Sequence, residues 1–353
     1  MVVVGADVHK RTHTFVAVDQ AGRELGHRTF DAITPGHQAA VRWARERFGE
    51  DLVWAIEDCR HLSARLERDL LSAGQSVVRV PPKMMAEQRR IARTRGKSDP
   101  IDAAAVARAA LREPTLPVAS HDETSREMKL LVDRRDDLVK HRTATTNRLL
   151  WRVHELDPAW APKARSLDLI KHQQILADRL ADVPGILAEL ARDELADIVA
   201  LTARINSLER RIAALVAHAA PTLLAMPGVG ALTAAKLVGE AAGITRFKSE
   251  AAFARHSGIA PIPVWSGNTK GRVRLTRSGN RQLNAAIHRI AVTQIRLDGP
   301  GKTYYEKKKA EGMSTPEALR CLKRRLARIV FNHLTADHNT AHAGLGTPIP
   351  TAA

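Results

Sequence analysis

Leu52-Val53-Trp54-Ala55-Ile56-Glu57-Asp58 is an unbroken apolar run that stops on two acids. With no polar alternation, it reads as a strand buried on both faces, the pattern of a parallel strand covered by helices. Toward the N-terminus, Val2-Val3-Val4-Gly5-Ala6-Asp7-Val8 is another buried strand reaching an acid. Residues 13–19 and 23–30 form two more, joined by the turn signal Asp19-Gln20-Ala21-Gly22. Thr34-Pro35 then opens a helix with Val41, Ala44 and Phe48 apolar and Gly49 as its stop. Toward the C-terminus, a helix carries Leu62, Leu66 and Leu70 on one face, and a short strand at 76–80 ends at Pro81-Pro82. An alanine-rich helix begins at Lys97-Ser98-Asp99-Pro100-Ile101-Asp102. Three strands, helix, strand, helix, strand, helix predicts an α/β domain with a mixed sheet.

Asp7 and Glu57 sit where strands end, and open α/β sheets place ligand sites at strand ends. Asp99 and Asp102 are three apart, on one face of a helix. By themselves they read as an acidic first turn, with Asp99 as N-cap and Pro100 in the first turn. Four acids meeting at one sheet edge need a counter-ion, because like charges raise one another's pKa and cost stability. Oxygen ligands suit a hard divalent cation, and a pair of Mg²⁺ ions roughly 3.5–4 Å apart clamps both oxygens of a phosphoryl transfer. Glu57 is preferred to Asp58 because it continues directly from the apolar strand.

The 353 residues carry a formal net charge of +17, which points to a polyanionic partner, nucleic acid before an anionic membrane surface. No apolar run is long enough to span a bilayer, and the N-terminus lacks the pattern of a signal peptide. Cys59 and Cys321 are the only cysteines, which argues against a disulfide scaffold or zinc knuckle and for a cytoplasmic home.

Residues 121–156 are helical in pattern, with the capping-box signature Thr124-Ser125-Arg126-Glu127 and Pro158 beyond the end. A second helix over 193–217 repeats Ile198, Ile205, Ile212 and Leu201, Leu208, Leu215 every seven residues. Ile at a with Leu at d predicts a two-stranded parallel coiled coil between copies, with Arg204 and Glu209 at g and e; an intrachain helical hairpin is the alternative. Leu224 to Leu237, around Pro227-Gly228-Val229-Gly230, resembles a helix-hairpin-helix, whose Gly228 and Gly230 backbone would hold a DNA phosphate. A plain turn between packed helices is the alternative. The stretch from Ser257 to Gly271 is loop-like, followed by a basic patch of Lys270, Arg272, Arg274, Arg277 and Arg281 with no acid among them. Ser266, in that Gly-flanked loop, is a candidate nucleophile, although most loop serines only cap or turn. Tyr304 and Tyr305 are read as packing or stacking residues, and residues 337–353 as a disordered tail.

These pieces together resemble the DEDD transposases of the IS110 family and their Piv-type invertase relatives. The resemblance rests on Asp7-Val8-His9-Lys10, on Glu57, and on Lys97-Ser98-Asp99 with Asp102-Ala103. In the C-terminal half it rests on Pro227-Gly228-Val229-Gly230, Gly258-Ile259-Ala260-Pro261, Ser266-Gly267 and Arg277-Ser278-Gly279-Asn280-Arg281, in the family's order. It implies an RNase H-like (RuvC-like) DEDD domain over 1–118, a coiled-coil connector over 119–218 and a mostly α-helical transposase domain over 219–336. It implies Mg²⁺ held by Asp7, Glu57, Asp99 and Asp102, and Ser266 as the nucleophile of a covalent protein–DNA intermediate. The family commonly has Ser-Ser-Gly where this chain has Trp265-Ser266-Gly267, which leaves Ser257 as the reserve. The implied partners are DNA, both element ends and target, a structured guide RNA (a bridge RNA), and further copies of the chain, with no membrane. The implied location is the bacterial nucleoid. Two other readings fit the same residues. One is a junction-resolving nuclease that uses water; the other is a non-catalytic nucleic-acid scaffold whose acids only cap helices.

Overall fold

Alternation decides which face of the sheet each residue serves. On β1 (Val2–Val8), β2 (Thr12–Val18) and β4 (Leu52–Glu57), the residues Val4, Ala6, Val8, Phe15, Ala17, Trp54 and Ile56 point to one core. That core is completed by α1 (Thr34–Phe48) and α2 (Ala64–Ser72) through Ala40, Val41, Ala44, Leu66 and Leu70. Val3, Val16, Val18 and Ala55 point the other way, against α4 (Asp99–Arg112). β3 (Glu24–Asp31), β5 (Ser76–Val80) and α3 (Pro82–Ile91) complete the domain. The strand order is β3-β2-β1-β4-β5. β1 and β2 pair antiparallel, as do β2 and β3, whereas β1, β4 and β5 run parallel. This is the sheet of an RNase H-like α/β domain, with the mixed pairing that the strand and helix pattern predicts.

The computed structural model describes residues 1–343 except 59–61, 92–97, 114–115, 117, 120–121, 270–272 and 276–278. The chain divides into two units, Met1–Asp122 with Gly243–Asn284, and Glu123–Ala242 with Ala285–Ala353. The first unit therefore regains the segment that carries Ser266 after a long excursion of the chain.

In the second unit, α5 (Glu123–Leu156) and α7 (Ile186–Ala219) lie antiparallel, with α6 (Ile170–Leu180) against both. The heptad seam of α7 is covered inside the chain. Ile198, Leu201, Ile205 and Ile212 are buried, Leu138 of α5 packs on Leu201 and Ile205, and Glu209 accepts hydrogen bonds from Arg135 of α5 at 2.8 and 2.6 Å. Arg142 reaches Thr202, and Arg148 and Arg152 reach Glu194, while Arg204 is exposed. The parallel coiled coil between copies is thus replaced by an antiparallel intrachain pair, because α5 presents a matching apolar stripe and the partner for Glu209.

Beyond α7, a single helical turn, α8 (Pro221–Leu224), leads through the glycine turn into α9 (Ala231–Ala241). The first unit then resumes with α10 (Glu250–His256) and the hairpin β6 (Pro261–Pro263) and β7 (Val273–Leu275). α11 (Arg281–Arg296), α12 (Pro300–Ala310) and α13 (Thr315–Ala343) finish the chain. Residues 337–343 of the expected tail are the end of α13, where Asp337 accepts from the backbone N–H groups of Thr222 and Leu223; the rest of the tail lies outside the described residues.

Candidate active site

Gly5 explains where the acids stand. A Cβ built there would lie 2.1 Å from the Ala103 carbonyl oxygen and 2.6 Å from the Ala107 nitrogen. Only glycine on β1, faced by the alanines of α4, lets helix and strand approach this closely. The approach brings the start of α4 beside the end of β1. Asp7 lies two residues after Gly5 on the same face, and Asp102 directly precedes Ala103. Asp102 is buried at 5% exposure.

Asp7 is half-buried, and burial raises its carboxyl above the usual range. The neighbouring His9 imidazole opposes that rise, while the charges of Asp102 and Asp99 add to it. The His9 Nε2 lies 3.1 Å from Asp7 Oδ2 and 3.5 Å from Asp99 Oδ1. Ligand atoms of Asp7, His9 and Asp99 all fall within 4.8 Å of one another. Asp99 is the first residue of α4, and Ser98, extended at φ −152° and ψ 154°, precedes it as N-cap. Ser98 therefore takes the N-cap position expected of Asp99, without a side-chain capping hydrogen bond, and Asp99 is exposed in the first turn.

Register extends the cluster to β4. Ala6 pairs with Ile56, so Asp7 and Glu57 continue side by side from adjacent parallel strands. Trp54 and Ile56 face α1 and α2, and Ala55 faces α4, which puts Glu57 on the Asp7 side by alternation. Asp58 has the opposite parity and interacts electrostatically with Arg79, whose guanidinium is held by Glu67 of α2. The donor set fits a divalent cation: Asp7 from a strand end, raised first by burial and then by the charges of Asp102 and Asp99 from a helix start, with Glu57 on the same face of the sheet by register.

The sequence by itself does not mark His9 as a ligand. The available signal was its i+2 spacing from Asp7, which returns a side chain to the same face of a strand.

Ser266 is exposed, just before a short 3₁₀ turn at Gly267–Thr269. Ser257, the reserve, is fully buried, and its hydroxyl donates to the Phe253 carbonyl at 2.8 Å, which removes it as a nucleophile. The base of the β6–β7 hairpin is clamped. Gly279, at φ +105°, lies so close to Gly258 that a Cβ would meet its nitrogen at 2.6 Å. The Asn280 N–H donates to the His256 carbonyl at 2.6 Å, and the Asn280 side chain accepts from the N–H groups of Gln282 and Leu283 at the start of α11. Asn284 Nδ2 donates to the Ser257 and Gly258 carbonyls at 3.1 and 3.0 Å. Two motifs separate in sequence, Gly258-Ile259-Ala260-Pro261 and Gly279-Asn280, thus form one structural lock beneath the serine loop.

The IS110 DEDD transposase profile, described as "Transposase", matches residues 4–156, and the profile "Transposase IS116/IS110/IS902 family" matches residues 220–306. The chain belongs to the IS116/IS110/IS902 transposase family. It is an enzyme of the insertion-element kind that acts on DNA. The transposase is 29% identical to the 44.8 kDa protein of insertion element IS116 from Streptomyces clavuligerus, over 93% of each chain. It is 27% identical to the 42 kDa protein of IS900 from Mycobacterium paratuberculosis, over 97% of this chain and 98% of that one. Thermus thermophilus RuvC, solved alone and with a Holliday junction substrate, overlaps 33% of the transposase and 99% of its own chain, at a TM-score of 0.27 and 18% and 16% identity. Strand order and register, rather than this overlap, carry the fold.

Elsewhere in the transposase, Arg274 is exposed on β7 and Arg281 is exposed at the first turn of α11, while Lys270, Arg272 and Arg277 lie outside the described residues. Gly228, at φ +81°, makes the turn before α9, fixed by Gln294 donating to the Pro227 carbonyl at 2.7 Å. Gly230 is the exposed, extended N-cap of α9. Tyr304 packs within its own unit, with the Arg325 guanidinium 4.7 Å from its ring centre. Among the described residues, no helix is long and apolar enough to cross a membrane.

Proposed function

We propose that this transposase cuts and rejoins DNA strands at a divalent-metal site made by Asp7, Glu57, Asp99 and Asp102, with Mg²⁺ as the ion, two per site, and Ser266 as nucleophile. The observation that carries the reading is the close seating of α4 on Gly5, beside which Asp7, Asp99 and Asp102 interact. Bound there, the ions neutralise the clustered carboxylates and polarise a phosphodiester. Asp7 and Glu57 leave rigid strand ends, and Asp102 is packed into the helix seat, so these acids hold a fixed geometry without reorganising. Ser266 Oγ attacks phosphorus, the bond from phosphorus to the leaving deoxyribose oxygen breaks, and the serine proton ends on that oxygen. The hydroxyl of a second DNA end then attacks the phosphoserine linkage and releases the serine.

Exchange between two duplexes needs a nucleophile for each cleaved strand, so at least two copies act together. Since the α7 seam is internal, they meet through another surface. Exposed Arg274 and Arg281, with Lys270, Arg272 and Arg277, bind backbone phosphates, and Gly228 and Gly230 offer a further phosphate contact. A structured guide RNA that pairs with both DNAs supplies target choice. The overall charge of +17 suits such a load. The work takes place on bacterial DNA in the cytoplasm, at the nucleoid.

The test is a labelled insertion-element end incubated with the protein, its copurifying RNA and Mg²⁺, with covalent adducts resolved on a denaturing gel. Wild type gives an adduct, Ser266→Ala gives none, and Asp102→Asn gives neither adduct nor cleavage. An adduct from Ser266→Ala rejects the serine. Cleavage without any adduct means hydrolysis by water, and full cleavage by Asp102→Asn rejects the metal site.

A further inference from the structure

The acids are not the only ligand-bearing groups at the end of β1. His9 leaves the same side of the chain as Asp7, and its Nε2 points between two carboxylates that come from different elements, 3.1 Å from Asp7 Oδ2 and 3.5 Å from Asp99 Oδ1. Ligand bonds of about 2.1 Å meeting at right angles leave neighbouring ligand atoms about 3.0 Å apart, and tetrahedral angles leave them about 3.4 Å apart. Both spacings around Nε2 are therefore close to the edges of a coordination polyhedron, and all three ligand atoms lie within 4.8 Å of one another. The His9 side chain is 51% exposed, and its Nε2 shares a hydrogen bond with Asp7 Oδ2, so a bound ion would take the place of the shared proton.

We propose that His9 is a nitrogen ligand of the metal site, joining Asp7 and Asp99 on one ion, and that it strengthens binding of Mn²⁺ more than of Mg²⁺. This rests on the metal reading above and adds a residue that the four-acid set leaves out. An all-oxygen set is indifferent to ligand softness, whereas imidazole nitrogen suits the later divalent ions, and Mg²⁺ gains little from it. Oxygen ligands from Asp7 and Asp99 with nitrogen from His9 form a mixed set whose nitrogen adds more to the binding of the softer ion. His9 also spans β1 and α4, so a shared ion would hold the first turn of α4 to the strand end.

The experiment uses the full-length protein without nucleic acid and Mn²⁺ alone as the probe. Pulsed electron paramagnetic resonance reads nitrogen coupling to bound Mn²⁺, and titration calorimetry gives affinities for Mn²⁺ and Mg²⁺. The expected result is a ¹⁴N coupling in wild type that is lost in His9→Ala. Mn²⁺ binding weakens by about 10- to 100-fold in the variant, the range found when a group supporting a metal site is removed, and Mg²⁺ binding weakens by less than about 3-fold. His9→Gln, which keeps a polar side chain of similar reach, also loses the coupling. Thermal melting in the absence of metal checks that both variants fold. Mn²⁺ bound to wild type without nitrogen coupling overturns the His9 assignment and leaves the acid site standing. Tighter Mn²⁺ binding by His9→Ala overturns it too, since His9 would then be a competing counter-cation. No Mn²⁺ or Mg²⁺ binding by wild type overturns the metal reading itself.

Discussion

Gly5 and His13 sit on the same sheet and face opposite cores, and each sets a limit on what the domain tolerates. At Gly5, a methyl group would collide with the α4 backbone, which has no flexible end to move aside. Gly5→Ala should cost about 1–3 kcal/mol, the usual penalty for overpacking. Because α4 must back away, DNA cleavage should fall further than the fraction unfolded explains; urea melts and cleavage assays on one preparation check this. At His13, burial first and then the neighbouring His37 imidazole hold the pKa down at about 4. The two rings stack at 5.1 Å, and His37 Nδ1 is 2.6 Å from Asp69. His13 is thus neutral in the folded protein at neutral pH, while the unfolded chain takes up its proton below about pH 6.5. Its folded pKa is depressed, so this contribution is whole above pH 6.5 and is lost as the pH falls toward 4, up to ~3 kcal/mol. His13→Gln should flatten that part of the stability profile, measured as urea midpoints at pH 8 and pH 5 against wild type. At this scale the sequence was legible for Asp99 and Asp102, whose spacing puts both charges beside Asp7. It was not legible for Ser257, whose hydroxyl turns back onto the Phe253 carbonyl while Asn284 of α11 holds its own carbonyl, nor for His9, whose contact with Asp99 needs α4 to be seated first.

The same limit recurs between elements. The α7 heptads announce an apolar stripe, but a stripe does not say which helix covers it. α5 does so, through Leu138 and Arg135, at positions where its own periodicity is loose. The β6–β7 hairpin is the opposite case, with short strands, few apolar residues and its order imposed from below. Asn284 contributes two hydrogen bonds, to the Ser257 and Gly258 carbonyls. Removing them leaves two backbone acceptors short of a partner, and Asn284→Ala should cost about 1–3 kcal/mol. Its larger effect should fall on chemistry. The serine loop loses its footing while Arg274 remains on the surface, so adduct yield should drop at least 10-fold with DNA affinity changed less than 3-fold, about 1.4 and 0.6 kcal/mol respectively. Equal losses in binding and adduct would mean that the clamp supports the DNA surface and not the loop.

For the whole molecule, the discontinuous first unit is what a linear reading of domains cannot see. Gly243–Asn284 returns to the unit of Met1–Asp122, and Arg255 pairs with Glu113 at 3.1 Å across that gap in sequence. The acids and Ser266 therefore share a unit, although more than two hundred residues separate Glu57 from Ser266 in the chain. Charge completes the division of labour. The net +17 makes binding to nucleic acid a counter-ion-release process, in which the logarithm of affinity falls linearly with the logarithm of salt by about 0.9 per phosphate neutralised. Arg274 and Arg281 are exposed; on the proposed phosphate contacts, replacing either with alanine should lower that slope by about 1 and weaken binding to all sequences alike. Asp102 is buried; if it contributes through the proposed metal site, Asp102→Asn should leave the slope unchanged while it abolishes cleavage. Filter binding between about 50 and 200 mM salt, in Ca²⁺ to hold the site filled without turnover, separates the two roles. A change of slope in Asp102→Asn as large as that in Arg281→Ala would mean that the acid site itself sets how many phosphates the protein grips.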